Sequence, residues 1–193
     1  MTPSDRRFFD RPADIVAAAL IGWTFLVEGA GGVVVETEAY DRTDPASHSV
    51  RGPTPRNASM FGPPAYAYVY RSYGLHWCLN LVCEPGSAVL LRALAPTAGL
   101  DAMRARRGLD ADRLLCAGPG RLAQALGIDR THDGRALDAP PFAWGDRIAA
   151  ALAVGPRIGL TRGIETPWRF GAAGSRYLSR PFPRAGRMPP RDA

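Results

Sequence analysis

Charge inside strand-like runs is the feature that most restricts this chain. The stretch "GGVVVETEAY" (31–40) begins as a core strand and then places Glu36 and Glu38 where more apolar residues would continue it. The run "AVLLRALAP" (88–96) carries Arg92 in its middle. Ionised side chains are almost never buried without a partner. Strand alternation puts Val34, Glu36, Glu38 and Tyr40 on one face and Val33, Val35, Thr37 and Ala39 on the other. The two carboxylates then stand ~7 Å apart and point the same way. Arg92 either pairs with a buried carboxylate or reaches a phosphate at the strand end. An isolated pair of strand glutamates most often faces solvent or pairs with arginine. At a strand end beside a loop, such a carboxylate can instead hold and deprotonate a water.

The remaining pattern mixes helices with hairpins. "RPADIVAAALIG" reads as a first helix, with Asp10 as cap and Gly22 as stop. "WTFLVEG" and "VVVETEAY" read as strands joined through "GAGG", a hairpin signal. Residues 41–67, rich in Pro, Gly, Ser and Asp, read as a long ordered loop with one helical turn near Ala58 to Phe61. Loops of that length inside compact domains are usually functional. "YVYRSY" and "LHWCLNLVC" form a second hairpin about Gly74, and "AVLLRALAP" a third core strand. "TAGLDAMRARRG" and "GRLAQALG" read as helices, and "RIAAALAVGPRIG" holds a further strand. The tail from about Arg180 is rich in Pro and Arg and is expected to fray. The strand–helix alternation of a doubly wound fold is absent.

In the second hairpin Tyr68 and Tyr70 share a face, and Tyr73 sits at the tip. An exposed tyrosine there is unfavourable unless it meets something apolar. Flat aromatic rings stack on bases, and apolar wedges enter base steps. The alternative is a tyrosine-rich sheet that packs with no ligand. Beyond the tip, Trp77, Leu79 and Leu81 form an apolar face, and His76, Cys78 and Asn80 the opposite one.

Composition narrows the function classes. A chain of 193 residues suits one domain with a real core. No apolar run reaches the ~18 residues of a bilayer span. The polar, charged stretch Met1 to Arg11 does not read as a secretory signal, so the expected compartment is the cytoplasm. Three cysteines without a CxxC pair and three scattered histidines make a zinc site improbable. "GPGRLA" (118–123) fits GxGxxA, but no strand–helix–strand unit surrounds it, and it reads better as a helix start with Pro119 in the first turn. The net charge is +6, and all 24 basic residues are arginine. Codon bias explains arginine over lysine. The excess of positive charge points to a phosphate-rich partner, of which nucleic acid is the commonest.

"VVETEAY", a loop carrying "HS", then "PRN" and "MF", "YVYRSYG", "CLNL", "LLRALAP" and "CAGPGRL" follow one another in this order. The set resembles the 3-methyladenine DNA glycosylases of the alkyladenine (methylpurine) type, from about Val33 to Gly127 and more loosely to Tyr177. The resemblance implies a mixed α/β single domain over 1–193, built as a curved antiparallel β-sheet with a protruding β-hairpin and peripheral helices. It implies a monomer that needs no cofactor or metal, kinks double-stranded DNA and flips a damaged purine into a pocket. A water then attacks C1′ and releases the base. By motif, Glu38 matches the catalytic carboxylate, and Arg92 a residue that helps hold the water and the target phosphate. Tyr40, His48 and Tyr70 match the pocket walls, Asn80 the pocket floor, and Tyr73 the wedge that intercalates into DNA. Glu36 matches no catalytic position and is expected to be structural.

The chemistry is consistent with this. Glycosidic cleavage passes through an oxocarbenium-like state that a nearby carboxylate stabilises. An alkylated purine such as 3-methyladenine or 7-methylguanine is cationic, leaves without protonation and is attracted to aromatic faces. Hypoxanthine and ethenoadenine belong to the same expected substrate class. Glycosylases that also nick the strand commonly use an amine; with no lysine in the chain, a monofunctional enzyme is expected. Two rivals remain: a nucleoside or glycan hydrolase using Glu36 and Glu38 as an inverting pair, and a DNA-binding module without catalysis.

Overall fold

The computed structural model describes residues 1–183. Helix α1 (Ala13–Leu20) is followed by a hairpin of β1 (Trp23–Val27) and β2 (Ala30–Tyr40). A second hairpin, β3 (Ala67–Ser72) and β4 (His76–Val82), leads to β5 (Ala88–Ala98). Three short helices follow, α2 (Leu100–Arg107), α3 (Asp112–Leu115) and α4 (Pro119–Leu126), and then β6 (Phe142–Arg147), β7 (Leu152–Gly155) and β8 (Arg169–Ala172). The strands form one sheet in the order β3-β4-β5-β2-β1-β6, every pairing antiparallel. The expected mixed α/β architecture is the one observed.

Strand β2 is long enough to serve three neighbours. One edge pairs with β5 along most of its length. The other edge is divided: Ala30 to Val33 pair with β1, and Glu36 to Glu38 pair with β8. The two glutamates therefore lie in a central strand, flanked by β5 on one side and β8 on the other. The β2–β5 ladder shifts register between Val34 and Glu36 and again before Thr37, where Arg92 stands.

The two faces of the sheet have separate tasks. Val69, Leu79, Leu81, Val89, Leu91 and Ala93 are fully buried and belong to the main core, together with Val16 and Leu20 of α1 and Leu122 and Ala123 of α4. Thr37, on this face, donates its hydroxyl to the Ala17 carbonyl of α1 at 2.9 Å, so its burial leaves no polar atom unpaired. The opposite face carries Glu36, Glu38, Tyr40, Tyr68, Tyr70, Asn80 and Arg92, as the register of β3, β4 and β5 requires.

Several local expectations are revised. Asp10 does not cap α1; the helix begins after Pro12, which has no side-chain cap bond. Phe8 and Phe9 are buried ahead of it, and a short 3₁₀ turn over Arg6–Phe8 brings them into the core, which postpones the helix start. In the first hairpin the turn residues are Glu28 and Gly29, both at positive φ, while Gly31 and Gly32 lie inside β2. Those two glycines permit close strand approach: a Cβ on Gly32 would stand 1.9 Å from the Ala95 carbonyl oxygen. The loop after β2 is ordered, with its expected helical turn at Ala58–Phe61. The start of the tail, 180–182, packs against β8. Arg169 donates to the Arg180 and Pro181 carbonyls, and its guanidinium lies 4.0 Å from the Phe182 ring centroid. The expectation for 184–193 falls outside the described residues.

Because the group facing Gly32 is backbone in a central strand, it cannot swing aside. Gly32→Ala is expected to destabilise the fold by about 1–3 kcal/mol, the range for overpacking, read as a lowered urea midpoint.

Candidate active site

A cavity of about 690 Å³ opens on the polar face of the sheet. Tyr40, His48, Tyr70, Tyr73, Asn80 and Arg92 all line it. Glu38 stands immediately behind that wall, fully buried, and touches the lining through its hydrogen bonds. Its Oε1 accepts the Ile158 N–H at 2.7 Å. Its Oε2 accepts the Tyr40 hydroxyl at 2.9 Å and Arg92 Nη1 at 3.1 Å. Burial pushes the Glu38 carboxyl above its ordinary range, against the opposing pull of Arg92, the Ile158 amide and Tyr40. Tyr40 is raised too, first by burial and then by the neighbouring Glu38 charge, so its phenol stays protonated and donates.

Arg92 spans the two carboxylates: Nε donates to Glu36 at 3.2 Å and Nη1 to Glu38 at 3.1 Å. Of the two roles open to it from sequence, the structure realises pairing with buried carboxylates. Glu36 has further donors in Arg169 Nε at 2.8 Å, the Ser179 N–H at 2.6 Å and the Ser179 hydroxyl at 2.7 Å. With Arg92, three donors thus fall on Glu36 Oε1 and one on Oε2, which hold the carboxylate in place. The inverting-pair rival needs both glutamates free to act, and the four donors on Glu36 weigh against it.

The aromatic wall is built by β2, β3 and the loop between them. Tyr68 and Tyr70 are stacked, with centroids 5.5 Å apart. The His48 ring meets Tyr70 edge-on at 4.5 Å, and its Nδ1 lies 3.0 Å from the Tyr68 hydroxyl. Asn80, buried on β4, donates its amide to the Tyr68 carbonyl at 3.1 Å. Burial raises the Tyr70 phenol and lifts Tyr68 to about 12, so both rings are neutral. His48 is exposed as a residue, with its ring set edge-on against the two tyrosines. Partial burial, with the Arg56 charge, lowers its pKa, so the imidazole is neutral.

The His48 loop is held from both ends. Asn57 donates its amide to the carbonyls of His48 and Gly52. Asp44 forms a buried ion pair with Arg157, whose Nη2 is 3.0 Å from Oδ1. The Arg157 guanidinium also lies over the rings of Tyr40 and Trp168, at 4.8 and 5.5 Å. At the far end of the second hairpin Tyr73 is 90% exposed and sits at φ +50°, a left-handed conformation uncommon for a non-glycine residue. Such a projecting aromatic ring has no packing reason of its own.

A profile describing methylpurine-DNA glycosylase (MPG) matches residues 7–176. The chain belongs to the methylpurine-DNA glycosylase family. A protein of Rhodopseudomonas palustris strain HaA2 is 62% identical over 184 residues, covering 93% of this chain and 92% of its own. Proteins of Nitrosospira multiformis and Rhizobium meliloti are each 58% identical, over 86% and 93% of this chain and 89% and 97% of their own lengths. All three are named, provisionally, as 3-methyladenine DNA glycosylases. This glycosylase is accordingly a DNA-binding hydrolase of base-excision repair, which removes the rival of a module without catalysis.

Sequence reasoning missed Arg157, Arg169, Ile158 and Ser179. The two arginines carry the signal that exposed Arg92, a charge in a mainly apolar segment ("AVGPRIG", "TPWRFGAA"). The Ile158 amide and Ser179 carry none. Among the described residues of the glycosylase, no group of three or more His, Cys, Asp or Glu side chains is placed to hold a metal ion, and no helix is long and apolar enough to cross a membrane.

With the folded pKa of His48 depressed below 6.5, only the unfolded chain gains this proton near that pH. The stability this contributes is complete above pH 6.5 and is lost progressively as the pH falls towards the folded value. Wild type is expected to lose more stability than His48→Gln over that acidification, and the His48 imidazole resonances to titrate below pH 6.5.

Proposed function

We propose that the chain flips alkylated or deaminated purines out of duplex DNA and hydrolyses the N-glycosidic bond with a water activated by Glu38, leaving an abasic site. The observation that carries this reading is the placing of Glu38, with three fixed donors, directly behind a cavity walled by tyrosine and histidine. A carboxylate offers about four lone-pair positions. The donors take three and leave one for a water. A carboxyl raised by burial is also a better base near neutral pH. Arg92 orients the carboxylate, and as the sugar acquires positive charge the anionic Glu38 stabilises it.

Tyr40, His48 and Tyr70 supply the faces and edges that hold the extruded base. Their neutral, electron-rich rings favour a cationic purine, which leaves without a proton donor. 3-Methyladenine and 7-methylguanine are thus the primary substrates of this reading, with hypoxanthine and ethenoadenine in the wider class. Asn80 reads the base from the floor. Tyr73 fills the gap left in the stack, at a tip whose backbone already holds the ring outward. One chain supplies each of these groups, so the working unit is a monomer. With no lysine to form a Schiff base, the enzyme releases the base without cutting the strand.

Glu38→Gln keeps the shape and cannot take a proton. It is expected to abolish release of methylated purines under single turnover while DNA affinity stays near wild type; a retained rate would remove Glu38 from the mechanism. Tyr73→Ala is expected to weaken lesion binding by ~1–3 kcal/mol, the value of one base–aromatic stack. The loss should shrink when the target base is mismatched, because less unstacking is needed. Fluorescence of a 2-aminopurine beside the lesion reads extrusion directly, and equal losses on paired and mismatched targets would place Tyr73 in the fold instead.

A further inference from the structure

The charges around Glu38 do not end at Arg92. Glu36, Glu38, Arg92 and Arg169 form one cluster in which no member is more than 7% exposed. The two strands that flank the glutamates each contribute one guanidinium, Arg92 from β5 and Arg169 from β8. Two carboxylates are thereby balanced by two arginines. Arg169 is held by more than its ion pair: it donates to the Arg180 and Pro181 carbonyls and rests on the Phe182 ring, while Ser179 completes the donors on Glu36. The segment that does this lies beyond residues 7–176, the span shared with the family profile.

Within this cluster Arg92 is divided between the glutamates, with one bond to each. It is also the ion-pair partner of Glu38 among the described residues. Whatever draws Arg92 towards Glu36 takes it from Glu38. We propose that Arg169 is a positioning residue for hydrolysis: by neutralising Glu36 from the β8 side, it leaves the Arg92 guanidinium to Glu38. The inference rests on Glu38 acting as the base. Without Arg169, two dry carboxylates share a single cation. A buried uncompensated charge is strongly disfavoured, so the Glu38 carboxyl, already raised by burial, is raised further when its share of Arg92 falls. The other groups facing Glu38 cannot substitute for the lost cation. Tyr40 on β2 and Tyr70 on β3 are neutral phenols, the Ile158 amide carries no charge, and the Arg157 guanidinium beyond Tyr40 is committed to Asp44.

The test is the pH dependence of single-turnover base release from a dimethyl-sulfate-treated duplex. Its cationic purines leave unprotonated, so the acid limb reports the base alone. Arg169→Met is expected to move that limb to higher pH by about 1–2 units, the effect of losing a nearby opposite charge, with duplex affinity unchanged. Glu36→Gln should leave the limb in place or move it to lower pH, since Arg92 then serves Glu38 alone. The double variant, which restores one carboxylate to one arginine, should return the limb to within about half a unit of wild type, a small residue of that charge effect. A structural role would give additive losses of stability and no such rescue. If Arg169→Met does not fold, Arg169→Lys and Glu36→Gln decide: the lysine variant should keep the limb, and an alkaline shift in Glu36→Gln overturns the inference. An unmoved limb in Arg169→Met, or an unrescued double variant, also overturns it. A Glu38→Gln control separates the two claims. If that variant keeps the wild-type rate, the hydrolysis reading falls; if it is dead while Arg169→Met leaves the limb in place, only the role of Arg169 falls.

Discussion

The guanidinium of Arg92 lies between two carboxylates that could not both be buried and ionised in the middle of a sheet without it, and much of the molecule follows from meeting that condition. The β2–β5 register shifts where Arg92 and Glu36 meet, so that one arginine reaches two glutamates on the same strand. The free edge of β2 is closed by β8, which brings Arg169 to the other side. Such clusters add little net stability, because desolvation offsets most of the attraction between the charges. A well-packed set of apolar residues would suit folding at least as well. Four charges at the centre of the sheet are therefore better explained by the chemistry they permit than by the fold they support.

A second buried pair, Asp44 with Arg157, does for the loop what Arg92 does for the sheet. The loop from Asp41 to Tyr66 contains one 3₁₀ turn as its only helix and must still present His48 to the cavity in a fixed attitude. Its order comes from side chains bonding backbone: Asn57 bridges the His48 and Gly52 carbonyls, and Arg157 joins Asp44 to the Ala39 and Gly163 carbonyls. Because Arg157 also lies over the Tyr40 ring, the loop and the end of β2 are fixed by one side chain. Two walls of the cavity thus share one support.

Much of this was legible in the sequence because side chains alternate along a strand, although the register shift between Val34 and Glu36 leaves Val34 in the main core and not beside the glutamates. Alternation alone placed Glu36, Glu38 and Tyr40 on one face, and Cys78 and Asn80 opposite Trp77, Leu79 and Leu81, as the register bears out. Arg92 stood out because a charge in an apolar run demands a partner. Helix boundaries were less legible, since the start of α1 is set by the burial of Phe8 and Phe9 rather than by the nearest capping residue. Contacts made by backbone, such as the Ile158 amide on Glu38, leave no trace in residue type. Nor could spacing reveal that Ser179, more than 140 positions from Glu36, bonds to it through both its amide and its hydroxyl. The assignment of roles to the pocket residues came from resemblance, and periodicity shows only that they share a face.

Tyr68, Tyr70 and Tyr73 belong to one short stretch of chain. The pocket wall and the projecting ring are joined by a strand paired along its length to β4, and β4 in turn to β5. At ~3.3 Å per residue the two steps from Tyr70 to Ser72, where β3 ends, span about 7 Å, and Tyr73 follows directly in the turn. The hairpin therefore acts as a ruler. A ring pressed into a duplex at the tip carries the pocket to a set distance from the disturbed step, and the two cannot be advanced separately. On the proposed reading, opening the helix and receiving the base become one rigid approach, and the register between wedge and pocket is written into the backbone.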